Sequence, residues 1–210
     1  MCSEKLTPYE KNNMYTYKVE QAIRAASILH QDLLRRGSLP GPYISHLLAV
    51  VLILSDYTHD EDTLVAAFLH DTLEDTDYTL EELIEDFGGP VSEIVCTLTE
   101  PKKIGDIKLS WIDRKKTYAK QLKQGSEKAL MIAAADKSHN FRTIVEEYTD
   151  DHKRFIQDFG PQTDERLEAY QIISNVVNSR LKNNIVHEFN HTFNEFKQFL
   201  INVEKSTNTF

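Results

Sequence analysis

Four residues combine the side chains and the surroundings that a metal-dependent hydrolase requires: His46, His70, Asp71 and Asp136. Each lies in or beside an apolar stretch, where an unpaired charge is costly to remove from water. Imidazole and carboxylate together suit a divalent ion such as manganese, iron or zinc. A lone histidine would more simply be a hydrogen-bonded core residue, but the adjacent pair His70-Asp71 favours metal binding. The sequence therefore predicts a metal site that lowers the pKa of a water molecule.

Two further carboxylates follow this pair within one helical turn. Glu74 lies four residues after His70, and Asp75 lies four after Asp71, so each would overhang a metal ligand. Such a carboxylate can take a proton from the activated water, or it can orient a ligand by hydrogen bonding. Without the metal motif, both would be read as solvated charges at a helix end. With it, we predict that Glu74 and Asp75 are catalytic.

A polar stripe is predicted around Asp136. Asp136, His139, Asn140 and Thr143 have the spacing of one helix face. They follow the apolar segment 130–135, so this face must meet a cavity or other polar groups. We expect it to line a binding site.

The composition excludes several classes of function. The 210 residues carry a net charge of -9, which argues against nucleic acid as the main partner. A small phosphorylated ligand remains compatible if local cations outweigh the global field. No apolar run approaches a membrane span, and residues 1–8 lack a signal-peptide pattern. The two cysteines, Cys2 and Cys96, form no disulfide framework, so we expect a reducing cytoplasm.

Helical periodicity over most of the chain predicts the elements that position these residues. Asp60, Ser110 and Ser126 are expected N-caps, residues 79–82 fit a capping box, and Gly88-Gly89 should end that helix. There is no hairpin signal. We predict an all-α chain with one domain over residues 1–210, a core at about 17–150 and C-terminal helices within 151–205. The clearest helical segments are 17–34, 43–54 (where a strand is the alternative), 164–183 and 185–203.

The order of these motifs resembles the HD metal-dependent phosphohydrolase superfamily. Longer matches resemble the hydrolase domain of RelA/SpoT proteins and the Mesh-type small alarmone hydrolases, over about residues 20–150. The resemblance implies one metal ion, usually Mn²⁺, and removal of the 3′-diphosphate of guanosine tetra- or pentaphosphate as pyrophosphate. Two-metal members, by resemblance, recruit further histidines, and none lies between His70 and His139. The matching segments are 42–46, 70–76, 87–88 and 135–143.

The same resemblance implies roles for the neighbours of the metal ligands. Asn140 and Thr143 would contact the nucleotide, and Arg35 and Arg36 would cradle its guanine and phosphates. The chain departs from the family pattern here, with two extra residues before His46. An adenosine analogue or another nucleotide phosphoester is therefore an alternative substrate, and a catalytically silent nucleotide sensor is an alternative function.

A group of basic residues in the middle of the chain could receive the diphosphate groups. Each taken singly could equally be an ordinary solubilising charge. Together they are the best local source of positive potential in an acidic chain. These residues are Lys102, Lys103, Arg114, Lys115 and Lys116.

His187 and His191, with Glu188 between them, match the HExxH pattern of zinc metalloproteases. Such an enzyme also needs a third ligand downstream and a substrate-aligning strand. Glu195 and Glu204 are poor candidates for that ligand, and no strand signal precedes the pattern. We predict instead an amphipathic terminal helix that packs on the domain or on a second subunit of a homodimer.

Overall fold

The structure, a computed structural model, describes residues 14–37 and 40–207. The predictions for Cys2 and residues 1–8 lie outside this part of the chain. Within it the chain forms eleven α-helices and one short antiparallel hairpin, which confirms the all-α class. The elements are α1 Tyr17–Leu29, α2 Ile44–Ser55, α3 Glu61–Leu69, α4 Thr72–Asp75, α5 Leu80–Phe87, α6 Gly89–Leu98, β1 Lys103–Ile104, β2 Ile107–Lys108, α7 Trp111–Gln124, α8 Glu127–Tyr148, α9 His152–Phe159, α10 Thr163–Arg180 and α11 Ile185–Thr207.

Local sequence signals account for the starts of several helices. The side chains of Asp60, Ser110 and Ser126 each accept a hydrogen bond from the backbone N–H three residues ahead. Thr79 and Glu82 form the reciprocal capping box at the start of α5. These hydrogen bonds confirm the predicted caps. A short polar side chain at the start of a helix satisfies a backbone N–H that the helix itself leaves unpaired.

The prediction of a helix over residues 17–34 is wrong at its end, because α1 stops at Leu29. The following segment folds back on itself instead. Tyr43 N donates to Leu33 O at 2.9 Å, and Arg35 N donates to Gly41 O at 2.9 Å. These backbone bonds replace those of a continued helix, and they place Arg35 beside the start of α2.

Three elements were not predicted: α6, α9 and the hairpin β1–β2. Gly88 does end α5, but its φ of 84° lets the chain turn directly into α6. The absence of a hairpin signal was misleading, since β1 pairs with β2 across a turn at Gly105, where φ is 56°. The hairpin has only two residues per strand, too few for a period-two pattern to show in the sequence.

The centre of the core is formed by α2, α3 and α8. Residues 63–69 of α3 and 129–138 of α8 are buried on every side, so each helix is surrounded by protein. The C-terminal helix α11 packs along α8, and α10 packs against α7 and α11. Phe141 of α8 stacks on Phe196 of α11 with ring centres 4.7 Å apart. In the described part of the chain, no helix is long and apolar enough to cross a membrane.

Candidate functional site

Three separate helices bring His46, His70 and Asp136 together. His46 is in the first turn of α2, His70 caps the C-terminus of α3, and Asp136 lies in the middle of α8. All three are buried, and one ligand atom from each lies within 4.8 Å of the others. Asp136 Oδ1 is 3.3 Å from His46 Nε2 and 3.8 Å from His70 Nε2. The carboxylate thus faces both imidazoles.

Asp71, the fourth predicted ligand, lies at the same place. Its Oδ2 is 3.2 Å from His70 Nε2 and 3.6 Å from His46 Nε2. The Tyr43 hydroxyl donates to the same oxygen at 2.7 Å, which fixes the orientation of the carboxylate. We refer to His46, His70, Asp71 and Asp136 as the histidine–aspartate cluster.

The hydrogen bonds of His70 leave one ring nitrogen free for a cation. Its Nδ1 lies 2.8 Å from Ala67 O, and a carbonyl can only accept, so Nδ1 carries the proton. The other nitrogen, Nε2, points into the cluster, where it is buried and has no hydrogen-bond partner among the described residues. A buried nitrogen without a partner is costly, and a metal ion would satisfy it.

His46 is oriented by a residue outside the cluster. Its Nδ1 lies 2.8 Å from Nδ1 of His139, so one of the two nitrogens must donate to the other. If His46 Nδ1 donates, its Nε2 presents a lone pair to the cluster. Burial, then His46 and Arg35, lower the pKa of His139 to about 3, which keeps this second ring neutral. His139 therefore supports the site by holding the His46 ring in place.

The charges in the cluster favour a bound cation. Burial disfavours the anionic form of Asp136, but Lys137 and the two histidines outweigh burial and hold its pKa well below the usual range. Burial also opposes protonation of His70, yet Asp71 and Asp136 raise the pKa of His70 well above its ordinary value. The two carboxylates thus draw positive charge to the place where a metal ion would displace the proton. The donor set of the cluster fits a divalent ion.

Asp136 has further polar partners. Lys137 Nζ donates to its Oδ2 at 2.6 Å, and Asn140 Nδ2 donates to its Oδ1 at 2.5 Å. Arg35 in turn donates to the Asn140 side-chain oxygen at 2.8 Å. Arg35, Asn140 and Asp136 therefore form one chain of hydrogen bonds from the loop after α1 to the cluster.

Glu74 and Asp75 lie on the short helix α4, one turn beyond Asp71. Burial, then the charges of Glu100 and Asp71, raise the pKa of Glu74. Partial burial and Asp71 likewise raise the pKa of Asp75, although its side chain reaches solvent. Glu74 Oε2 also accepts a hydrogen bond from the Glu100 backbone at 3.2 Å. A raised pKa makes each of these carboxylates a better proton acceptor than an ordinary one.

A cavity of about 290 Å³ adjoins the cluster, because Lys137 and Asn140 line it as well as contacting Asp136. Five residues predicted to bind substrate lie on its wall: Arg35, Arg36, Lys115, Asn140 and Thr143. Its aromatic lining comes from Tyr43, Tyr148, Phe159 and Tyr170.

The remaining predicted cations do not line this cavity. The Lys102 ammonium donates to the backbone oxygen of Glu74. Lys103 is exposed on β1, Arg114 is half-buried in the first turn of α7, and Lys116 forms an exposed ion pair with Glu168.

Sequence reasoning missed several residues of the site. Tyr43 and Lys137 stood inside motifs that had been recognised, so a polar side chain beside a metal ligand was an available signal. Glu100 and Tyr170 gave no local signal, because only the packing of the loop before β1 and of α10 brings them to the site.

The HExxH segment lies away from the cluster, on α11. His187 and His191 are exposed. Glu188 forms an ion pair with Arg142, and His191 Nε2 lies 3.5 Å from Glu195 Oε1. Within residues 14–37 and 40–207, potential ligand atoms converge at His46, His70 and Asp136 and not at this segment.

Comparisons with known proteins support this picture. The HD-domain family profile matches residues 21–159. A probable GTP pyrophosphokinase from Mycobacterium leprae is 40% identical over 138 residues, which cover 65% of this chain and 17% of the relative. A guanosine-3′,5′-bis(diphosphate) 3′-pyrophosphohydrolase from Aquifex aeolicus is 35% identical over 129 residues, which cover 60% of this chain and 18% of the relative. The chain thus spans less than a fifth of the length of these relatives.

Solved structures with the same fold cover more of the chain. One, described as a metazoan ortholog of SpoT that hydrolyses ppGpp and plays a role in starvation responses, matches with a TM-score of 0.71 and 25% identity, over 86% of this chain and 96% of its own. The protein lmo0812 from Listeria monocytogenes EGD-e matches with a TM-score of 0.60 and 28% identity, over 76% of this chain and 99% of its own. These matches confirm the resemblance predicted from the motifs.

Proposed function

This chain belongs to the HD-domain family, and we propose that it removes the 3′-diphosphate of guanosine tetra- or pentaphosphate as pyrophosphate. The observation that carries the proposal is the buried His70 Nε2, which has no hydrogen-bond partner in the described part of the chain and faces two carboxylates. The similarity to a pyrophosphohydrolase of Aquifex aeolicus and to a structure described as hydrolysing ppGpp supports the choice of reaction.

We propose one divalent ion, Mn²⁺, held by His46, His70, Asp71 and Asp136. When bound, such an ion supplies Lewis acidity to a phosphate oxygen and to a water molecule. The protein supplies the orientation of the ligands, since Tyr43 holds Asp71 and His139 holds His46.

The two carboxylates on α4 are proposed to move the protons of the reaction. Water attacks the phosphorus attached to the 3′ oxygen, the bond between that oxygen and phosphorus breaks, and pyrophosphate leaves. The water must lose a proton, and the 3′ oxygen must gain one. Glu74 and Asp75 suit these tasks because burial and neighbouring anions raise the pKa of both, so that each takes up a proton more readily than an ordinary carboxylate does.

The cavity is proposed to hold the nucleotide. Arg35 and Lys115 lie on its wall as phosphate partners, and Tyr43, Tyr148, Phe159 and Tyr170 offer ring faces for a base. We also propose that residues 1–210 form a single HD-type unit, since one hydrophobic core includes residues from Val19 of α1 to Val203 of α11.

A turnover assay tests this proposal. Purified protein with Mn²⁺ should release pyrophosphate from guanosine tetraphosphate faster than from the adenosine analogue. An equal or reversed preference would contradict the guanosine assignment. Release from neither nucleotide, together with measurable binding of one, would instead establish a nucleotide sensor.

A further inference from the structure

Lys115 has a buried carboxylate behind it. Its ammonium forms an ion pair with Glu100, and the two side chains are only 11% and 7% exposed. The same ammonium lies 5.7 Å from the centre of the Trp111 ring and 5.8 Å from that of Tyr170. Lys115 lines the cavity, so its cation is fixed on the cavity wall by an anion and two aromatic rings.

Glu100 also contacts the proposed proton-transfer group. Its backbone N–H donates to Glu74 Oε2 at 3.2 Å, and its side chain pairs with Lys115. One residue therefore joins the phosphate-facing cation to a carboxylate of α4. Its own side chain lies behind Lys115 and not on the cavity wall.

The balance of charge at this pair determines how strongly Lys115 attracts phosphate. A buried cation without a partner destabilises the protein. An anion that binds and neutralises the cation removes this destabilisation, and its binding free energy becomes more favourable by that amount. With Glu100 present, much of the Lys115 charge is already balanced. A diphosphate must then share the ammonium with Glu100, which favours release of the product.

We propose that Glu100 is a positioning residue that acts through Lys115: it holds the ammonium on the cavity wall and limits how tightly that ammonium binds a diphosphate. The inference rests on the proposed function for the identity of the ligand. It distinguishes Lys115 from Lys116, whose ion pair with Glu168 is exposed to solvent.

Titration calorimetry with inorganic pyrophosphate tests the charge balance in the full chain, at equal metal content in every variant. Glu100→Gln should bind pyrophosphate roughly fivefold more tightly, because one partly buried opposing charge is removed. The KM for the nucleotide should fall in parallel. Glu100→Asp, which keeps the charge, should stay close to wild type.

The matched control is Glu168→Gln, which removes the partner of the neighbouring lysine. It should leave pyrophosphate affinity unchanged, since that pair is screened by solvent. Equal or weaker binding by a folded Glu100→Gln protein would overturn the proposal, because a merely structural role predicts that result. A similar increase in pyrophosphate affinity in Glu168→Gln would also overturn the proposal.

A second measurement needs no variant. In the wild-type chain, acetic anhydride should modify Lys115 about tenfold more slowly than the more exposed Lys116, followed by mass spectrometry. Equal acetylation rates for the two lysines would show that the Lys115 ammonium is not held in its ion pair with Glu100. Neither calorimetry nor acetylation requires turnover. If the chain released no pyrophosphate from any nucleotide, the proposed function would fail while these experiments still decided the role of Glu100.

Discussion

Two groups of histidine and carboxylate side chains look alike in the sequence and differ in the structure. The histidine–aspartate cluster collects its members from separate helices, and its two imidazoles are buried. The HExxH segment presents His187 and His191 from one exposed face of α11. There, Glu188 is paired with Arg142, and Glu195 lies beside His191. The difference teaches that burial and convergence, more than residue type and spacing, distinguish a metal site from a surface pattern.

The largest expected effect comes from removing the carboxylate that faces both histidines. Asp136→Ala should lose its metal and lower pyrophosphate release by more than about 1000-fold, because it removes one of the two carboxylates that balance the charge of a divalent ion and leaves only His46, His70 and Asp71. Elemental analysis and the turnover assay measure the two losses. A variant that kept both metal and full activity would refute the cluster as the metal site.

Replacing Glu74 should separate catalysis from metal binding. Glu74→Gln is expected to lower kcat by about 100- to 10,000-fold, the usual contribution of a general acid or base. Its metal content should stay at the wild-type level, since Glu74 is not a proposed ligand. Parallel loss of metal would show that Glu74 belongs to the cluster itself.

His139 should have an intermediate effect through His46. His139→Ala removes the ring that lies 2.8 Å from His46 Nδ1. We expect metal affinity to fall by about 10- to 100-fold, as for other residues that orient a metal ligand. Competition with a chelator measures this affinity, and an unchanged value would argue against an orienting role.

Arg35 should affect substrate binding with little change in metal content. Arg35→Ala removes a cavity cation and the hydrogen bond to Asn140, so KM should rise by about tenfold. Arg36→Ala is a useful companion, because Arg36 also donates to Asp158 O and should contribute less. Steady-state kinetics on both variants measure the two KM values. A larger rise in KM for Arg36→Ala than for Arg35→Ala would contradict this order.

The smallest effect is expected at the surface pattern. The double change His187→Ala and His191→Ala should leave metal content and activity within about twofold of wild type, since both side chains are exposed. Loss of metal in this variant would break the contrast between the two groups.

The site could be predicted in part because its ionisable residues are anomalous in their surroundings. His70-Asp71 and Asp136 are polar groups in apolar helices, and a reader of the sequence can see that contradiction directly. Glu100 and Tyr170 carry no such anomaly. A glutamate before a loop and a tyrosine on an amphipathic helix are ordinary, and only their packing against Lys115 shows their place in the site.

The sequence by itself determined the helix starts, the candidate ligands and their likeness to a known family, because capping and burial patterns act over a few residues. It overextended α1 and missed α6, α9 and the hairpin, because contacts between distant segments decide where those elements begin and end. The tertiary structure alone decided which side chains share a cavity and which histidines stay at the surface. Such choices depend on how helices far apart in the chain pack together, and that packing buries one group of histidines while leaving the other in water.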